Sequence, residues 1–181
     1  MHNRAQEIKP LMMFFKAGRW LALAACMAAV SLPAMAAEET GEPTHAQAPL
    51  PTVALTITAA NGTKHVFTVE KAMTPREQQV GEMFRPSVPA DGGMIFVWPF
   101  PRQSDMWMEN TKASLDIVFI GADNRISSIV ENAVPLSLAR ITSHGPVRAT
   151  LELQAGITEK LGIVVGDKVD SDVLTNKPVG K

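Results

Sequence analysis

Residues 107–120 constrain the fold more than any other stretch of this chain. They run from an aromatic, sulfur-containing segment through a polar Glu-Asn-Thr turn into the apolar run Leu115–Ile120, which one carboxylate, Asp116, interrupts. A buried carboxylate without hydrogen-bond donors would cost more than such a strand could tolerate. We therefore expect two strands to meet at this corner, with Asp116 facing inward and accepting hydrogen bonds from the Asn110 side chain and the Thr111 backbone.

Short apolar runs separated by turn signals recur along the chain. Apolar and small polar residues alternate with the period of a half-buried strand in 53–58 and 64–70, and Asn61-Gly62 between them predicts a hairpin. Further strands are predicted at Gly93–Trp98, Ser104–Met108, Leu115–Ile120, Arg125–Glu131, Arg148–Leu153 and within Gly162–Val169. The predicted fold class is mainly β, a compact β-sandwich or partly closed barrel with one or two short helices.

Helix and loop signals complete this description. Thr74-Pro75-Arg76-Glu77 is a capping box with proline at the first helical position, so a short helix should begin there and end at Gly81. A second short helix is predicted from Gly156 through Leu161. The prolines of 99–101 should end the strand before them, and 132–146 is predicted to be a long surface loop, where functional sites often lie.

The N-terminal residues have the pattern of an export signal. Lys16 and Arg19 precede an apolar run, 20–32, and Ala34-Met35-Ala36 has the small-x-small spacing of a cleavage site. We therefore predict a signal peptide over 1–36 and a mature chain that begins near Ala37 and is periplasmic or secreted. The apolar run is shorter than the roughly 20 residues of a spanning helix, so no transmembrane segment is expected in the mature chain.

Cys26, the only cysteine, leaves one alternative open. Leu23-Ala24-Ala25-Cys26 has the pattern that precedes a lipidated cysteine, which would anchor the protein to a membrane, although the residues that follow remain apolar. With cleavage after residue 36 the mature chain has no cysteine and needs neither disulfides nor thiol chemistry. Residues 1–36 hold four of the 17 basic and one of the 18 acidic residues, which leaves 13 and 17. This mildly acidic chain has no basic patch, which argues against nucleic acid as a partner.

The ends of the mature chain carry little apolar sequence. Residues 37–51 contain three acids and three prolines, a composition typical of a disordered linker. His45 lies there with no second metal ligand nearby. A single domain is predicted over 52–172, followed by a loose C-terminal tail over 173–181.

Standard catalytic patterns are absent from the sequence, which has no Gly-rich phosphate loop, Cys/His metal spacing or G-x-S-x-G elbow. Ser143, His144 and Asp116 could form a triad only by converging in space, and an adjacent Ser-His pair on a Pro/Gly loop is more typical of a turn. His65, with no acid or nucleophile beside it, is more typical of the core margin than of catalysis. We expect no cofactor.

Two carboxylates and four methionines could have either a functional or a structural role. Asp116 and Glu152 each interrupt an apolar strand, so they could be a catalytic pair or part of a structural network with Arg85, Asn110 and Arg148. Thioether side chains could bind Cu(I), but methionine is more often core filler. The methionines concerned are Met83, Met94, Met106 and Met108, with Trp107 beside the last two.

Several motifs in this order resemble a known family. They are Thr74-Pro75-x-Glu77, Gly81-x-Met83-Phe84-Arg85, Gly93-Met94-Ile95-Phe96, Trp107-Met108-x-Asn110-Thr111, Leu115-Asp116-Ile117, Leu151-Glu152-Leu153-x-Ala155-Gly156 and Gly162-Ile163-x-x-Gly166-Asp167. Over residues 65–169 they resemble the uncharacterised conserved family catalogued as domain of unknown function 192. The resemblance implies a compact, mainly β, often exported fold with no established activity. The chain departs from the family pattern at Gln78, Glu109 and Ser114, where arginine, lysine and proline are usual.

These observations favour a non-enzymatic, extracytoplasmic ligand-binding or accessory domain. Its partner would be a small ligand or an envelope component. The candidate binding site comprises Arg85, Trp107, Met108, Asn110, Thr111, Asp116 and Glu152. The alternatives are a carboxylate-dependent enzyme that acts on a sugar or cell-envelope substrate, which needs two carboxylates facing one cleft, and a Met-rich Cu(I) binder.

Overall fold

The computed structural model describes residues 41–175, so the predicted signal peptide and Cys26 lie outside the described residues. Seven strands, two short helices and a 3₁₀ turn make up the described chain. In order they are β1 (Thr52–Thr58), β2 (Lys64–Ala72), α1 (Pro75–Val80), β3 (Met94–Met106), β4 (Leu115–Ile120), β5 (Ile126–Ala133), β6 (Ile141–Gln154), α2 (Ile157–Leu161), β7 (Lys168–Ser171) and the 3₁₀ turn (Asp172–Leu174). None of the helices in 41–175 is both long and apolar enough to span a membrane.

All seven strands belong to one curled sheet. Their order is β5-β4-β6-β3-β2-β1-β7, and every neighbouring pair is antiparallel except β2 and β3. The two ends of the sheet approach each other: Arg125, just before β5, forms an isolated β-bridge with Lys168 of β7. The predicted mainly β fold is confirmed, and of the two predicted forms it is the partly closed barrel.

Both faces of the central strands are buried. On one face Ile95 of β3, Val118 of β4 and Leu151 of β6 pack in the main hydrophobic core with side chains from β1, β2 and β7. On the other face lie the residues of opposite parity, which form two smaller clusters around Met94 and Phe96 and around Ile117 and Phe119. This burial on both faces explains why β4 has no alternation, since all six of its residues are buried.

The structure corrects two predicted boundaries around the third strand and the long loop. Prolines 99 and 101 do not end the strand, because β3 continues to Met106 and pairs with β6 through register shifts at Val97/Arg102 and Gln103/Asp105. The predicted loop 132–146 is also too long. Strand β5 extends to Ala133 and β6 begins at Ile141, which leaves 134–140 as the connection.

The predicted linker and tail are also more ordered than expected where the structure describes them. Gln47 donates hydrogen bonds to the carbonyl oxygens of Glu77 (3.2 Å) and Gly81 (3.0 Å), and Leu50 packs against a core cluster. At the other end Leu174 is buried in the main core. The ordered domain therefore includes 41–51 and extends to at least Leu174, beyond the predicted limits of 52 and 172.

Candidate functional site

A cleft of about 300 Å³ opens between α1, the middle of β3 and the corner that follows β3. We call it the α1–β3 cleft. Its lining residues are Pro75, Gln78, Gln79, Val80, Gly81, Glu82, Met83, Phe96, Trp98, Arg102, Asp105, Met106, Trp107, Thr111 and Glu152. One wall is thus a helix and the turn after it, the other is aromatic, and two glutamates belong to the lining.

Helix α1 and the turn after it place Glu82. The predicted capping box is present: Thr74 Oγ1 accepts a hydrogen bond from the Glu77 backbone N–H, and the Glu77 carboxylate accepts one from the Thr74 backbone N–H. The helix ends at Gly81, whose φ of 49° lies in the left-handed region that favours glycine. The chain then turns sharply inward, so that the Glu82 side chain is only 3% exposed.

Glu152 comes from β6 at the centre of the sheet. It pairs with Met94 of β3 on one side and Ile117 of β4 on the other, and its side chain lies on the face that borders the cleft. A Cβ at Gly81 would lie 3.2 Å from the Phe96 ring and 3.9 Å from Glu152 Oε2. Glycine at this position therefore leaves room for both the aromatic ring and the carboxyl group.

Arg85 lies behind Glu82 and is held mainly by Glu70. Arg85 Nη1 and Nη2 donate to Glu70 Oε1 and Oε2 at 2.7 and 2.9 Å, and the Leu50 backbone N–H donates to Oε2 at 2.6 Å. Burial alone would raise the pKa of Glu70, but these hydrogen bonds outweigh it and lower that pKa. The pKa of Arg85 is raised in turn, chiefly by its hydrogen bond with Glu70.

Glu82 has a much weaker electrostatic partner. Its Oε2 lies 3.3 Å from Arg85 Nη1 but receives no hydrogen bond from the described residues. Burial raises the pKa of Glu82 to about 7, because the attraction of Arg85 only partly offsets the desolvation and Glu70 adds repulsion. A carboxyl group in this state holds its proton to near-neutral pH.

Glu152 is buried as well. No hydrogen bond to its carboxyl group is formed within 41–175, and burial together with repulsion from Glu82 raises its pKa to about 8. Glu82 therefore ionises first as the pH rises, and its negative charge helps to keep the proton on Glu152. The innermost polar groups of the cleft are therefore two acids that are largely protonated below neutral pH.

The opposite wall is aromatic and carries one cation. The ring of Trp98 stacks beside Phe96 at a centroid distance of 6.3 Å, and the guanidinium of Arg102 lies 4.8 Å from the Trp98 ring centroid. The Trp98 Nε1–H is buried without a hydrogen-bond partner among the described residues. At the mouth of the cleft Trp107 is 48% exposed.

The structure distributes the seven predicted site residues among four places. Trp107, Thr111 and Glu152 line the α1–β3 cleft. Arg85 contacts Glu82 from behind, and the carbonyl oxygen of Asn110 accepts a hydrogen bond from the Phe84 backbone N–H, which ties the corner to the turn after α1. Met108 is buried in a core cluster.

Asp116, the seventh residue, faces inward as predicted but is not a lining residue of the cleft. Its Oδ1 accepts hydrogen bonds from the Asn132 and Gly156 backbone N–H groups, both at 2.9 Å. Its Oδ2 accepts from the Thr158 backbone N–H at 3.0 Å and from Thr158 Oγ1 at 2.7 Å. The predicted donors, the Asn110 side chain and the Thr111 backbone, are therefore wrong, and Asp116 anchors the start of α2.

The proposed triad residues have other partners. Ser143 Oγ donates to the Gly145 carbonyl oxygen at 2.6 Å and accepts from the Ser104 backbone N–H at 3.0 Å. His144 is exposed, and no hydrogen bond within the described chain links it to Ser143 or Asp116. Arg148, which was predicted to join a network with Asp116 and Glu152, instead donates a hydrogen bond from Nη1 to Asn124 Oδ1 at 2.7 Å.

The methionines divide between cleft and core. Met83 and Met106 line the α1–β3 cleft, whereas Met94 and Met108 are buried in separate core clusters. Within residues 41–175 no group of three or more His, Cys, Asp or Glu side chains is arranged to hold a metal ion.

Sequence reasoning missed several lining residues, of which Glu82, Trp98 and Arg102 matter most. Glu82 lies between Gly81 and Met83 in a turn, where a charged residue is usually solvated. One signal was available, since Gly81 marks a helix end at which the chain must change direction. Trp98 and Arg102 lie before and after the prolines that were predicted to interrupt the strand.

Comparison with known proteins identifies the family. A family model described as "Uncharacterized ACR", the domain of unknown function 192, matches residues 56–171. The chain belongs to this family. No curated protein matches the chain significantly.

Two similar solved structures support the fold. One, from Sinorhizobium meliloti 1021, is described as a "putative transcription regulator"; it is 38% identical, has a TM-score of 0.67, and the match covers 69% of this chain and 97% of that one. The other, a protein of unknown function from Novosphingobium aromaticivorans DSM 12444, is 40% identical with a TM-score of 0.66, and the match covers 74% and 94%.

Proposed function

We propose that this protein is an exported ligand-binding domain that takes a small organic molecule into the α1–β3 cleft. The observation that carries the proposal is the carboxyl group of Glu152, which is buried, lines the cleft and receives no hydrogen bond from residues 41–175. A buried acceptor in this state costs free energy of about 1–3 kcal/mol. An N–H or O–H group of a bound ligand would recover that cost, so the unpaired carboxyl group favours occupancy of the cleft.

The remaining lining supports the same proposal. Ligand pockets are concave and mostly apolar, with a few convergent polar groups, and their volumes lie between roughly 300 and 1,000 Å³. The α1–β3 cleft, at about 300 Å³, is at the small end of that range. Trp98, Phe96 and Met106 supply apolar surface, while Glu82 and Glu152 supply polar groups. These features favour a ligand with a compact apolar body and a polar end.

The cellular location is part of the proposal. The predicted signal peptide over 1–36 would deliver the domain to the periplasm or the medium, where small envelope components and nutrients are available as ligands. No nucleic-acid partner is proposed, because the mature sequence is mildly acidic and lacks a basic patch.

A steric test can be designed on the exposed face of α1. Gln79 lines the cleft but is exposed, so Gln79→Trp would fill the mouth without disturbing the core. The matched control is Glu159→Trp, at a position on α2 that is also exposed. The protein would be screened by thermal shift against small amines, alcohols, sugars and carboxylic acids. We expect a ligand whose stabilising shift is lost in Gln79→Trp and kept in Glu159→Trp; a ligand that binds both variants equally would place binding elsewhere.

One observation favours a second candidate function. Two cleft carboxyl groups whose pKa values are raised to about 7 and about 8 are in the protonation state that a general acid needs. A carboxylate-dependent enzyme acting on a sugar or cell-envelope substrate would use Glu82 and Glu152. Mass spectrometry of envelope glycan fragments incubated with the protein would test it: cleavage products that disappear with Glu152→Gln would support an enzyme, and unchanged fragments would argue for binding alone.

A further inference from the structure

The charges of the α1–β3 cleft are unbalanced. Glu82, Glu152 and Asp105 line it together with a single basic side chain, Arg102. Asp105 lies on the outer part of β3, where Arg140 Nη1 is 3.8 Å from its Oδ2. The two glutamates lie at the inner end, where Glu82 has only its 3.3 Å ion pair with Arg85 and Glu152 has no hydrogen-bonded partner among the described residues.

The nearest basic side chain does not neutralise the inner end. Arg85 makes its two short hydrogen bonds with Glu70, which does not line the cleft. Only the longer 3.3 Å contact remains for Glu82. One guanidinium charge is therefore shared by Glu70 and Glu82, and Glu152 receives only its more distant attraction. A further positive charge in the cleft would therefore favour ionisation of both glutamates at neutral pH.

The aromatic wall already accepts a cation. Arg102 is exposed and stacks on Trp98, while its Nε donates to the Gln103 carbonyl oxygen at 3.3 Å. No ion pair within residues 41–175 involves Arg102. A stacking cation at an exposed site contributes only about 0.5–1 kcal/mol, so a ligand could displace this side chain from the ring.

We infer that the α1–β3 cleft binds a protonated primary amine with an apolar body, whose ammonium group lies at Glu82 and Glu152 and whose body replaces Arg102 against Trp98. This inference rests on the proposed function and names its ligand class. A primary ammonium fits because it supplies N–H donors to the unpaired carboxyl group of Glu152 as well as charge to both glutamates. A quaternary ammonium would supply the charge without a donor.

Binding of this kind must release protons. The ammonium keeps its own protons, and its positive charge favours the ionised form of the two carboxyl groups, which lose protons to the buffer. Because the pKa values of Glu82 and Glu152 are about 7 and about 8 in the free protein, affinity should rise between about pH 6 and about pH 8. Neutral ligands would show no such dependence.

The experiment is calorimetric titration of the full chain with 2-phenylethylamine, 2-phenylethanol and 3-phenylpropionate, which share a ring and differ in charge. We expect the amine alone to bind, with proton release detected by comparing phosphate and HEPES buffers. Affinity should fall about tenfold or more in Glu82→Gln, remain unchanged in the exposed control Glu159→Gln, and increase in Arg102→Gln.

The outcomes separate this inference from the proposed function. Equal binding of the alcohol and the amine, lost in Gln79→Trp, would overturn the preference for a cation and leave the ligand-binding proposal standing. If the amine still binds both Gln79→Trp and Glu82→Gln, it binds outside the α1–β3 cleft and this inference is wrong. If none of the three probes binds and the broader thermal-shift screen also finds no ligand, both proposals are overturned.

Discussion

Replacing Glu152 by glutamine should remove part of the pH dependence of stability. An ordinary glutamate pKa is 4.5, and burial raises that of Glu152 to about 8. Well below pH 4.5 the carboxyl group is protonated in both the folded and unfolded states, so it makes no pH-dependent contribution to stability. As the pH rises, the unfolded state ionises first and the free energy of unfolding falls, until the pH passes the folded-state pKa. The difference in bound protons costs about 1.4 kcal/mol per pH unit.

Between pH 5 and pH 7 this amounts to roughly 2–3 kcal/mol for Glu152. Urea unfolding at several pH values would measure it in the natural protein, in Glu152→Gln and in the exposed control Glu159→Gln. We expect the natural protein and the control to lose stability together over this range, and Glu152→Gln to lose about 2–3 kcal/mol less. The test compares how steeply the free energy of unfolding falls with pH, so it remains valid even if the glutamine lowers stability by the same amount at every pH. Parallel profiles for all three proteins would refute the argument that Glu152 is buried as an acid.

Three further predictions concern the corner, the cleft mouth and export. Asp116→Ala should lower the free energy of unfolding by about 3–5 kcal/mol in urea melts, because it removes the shared acceptor of two part-buried backbone N–H groups and of the buried N–H and hydroxyl of Thr158; a loss below about 1 kcal/mol would contradict this anchoring role. Trp107→Ala should cost less than the roughly 3–5 kcal/mol of a core aromatic deletion, since its ring is half-exposed; a full core-sized loss would make Trp107 structural. Intact mass of envelope protein should place the N-terminus at Ala37, and a lipid-bearing Cys26 would disprove it.

The sequence correctly predicted the secondary-structure elements that are determined by residues close to one another in the chain. The β1–β2 hairpin follows from alternation around Asn61-Gly62, and α1 follows from its capping box and Gly81. The continuation of β3 through Pro99 and Pro101 depends on tertiary pairing instead. There the ladder with β6 is interrupted between Val97 and Arg102, so the missing proline N–H groups are not required for pairing.

The candidate site was predicted only in part because its geometry is non-local. Glu152 could be recognised because a charged residue within an apolar strand needs an explanation. Burial of Glu82 depends on contacts with strands far along the chain, and no periodicity marks a turn residue as buried. The contacts of Asp116 were likewise only partly predictable from the sequence. Its inward orientation followed from its apolar neighbours, but its donors lie 16, 40 and 42 residues away.

The hydrogen bonds of Gln47 affect how this domain should be trimmed for study. The family match begins at residue 56, inside β1. A fragment cut there would lose Gln47 and, with it, the side chain that holds the Gly81 carbonyl oxygen at 3.0 Å. Gly81 is adjacent to Glu82, so the loss would loosen the very turn that shapes the cleft. Ligand screens on such a fragment would then produce false negatives, whereas a fragment that begins before Pro43, which is buried, would keep the wall intact.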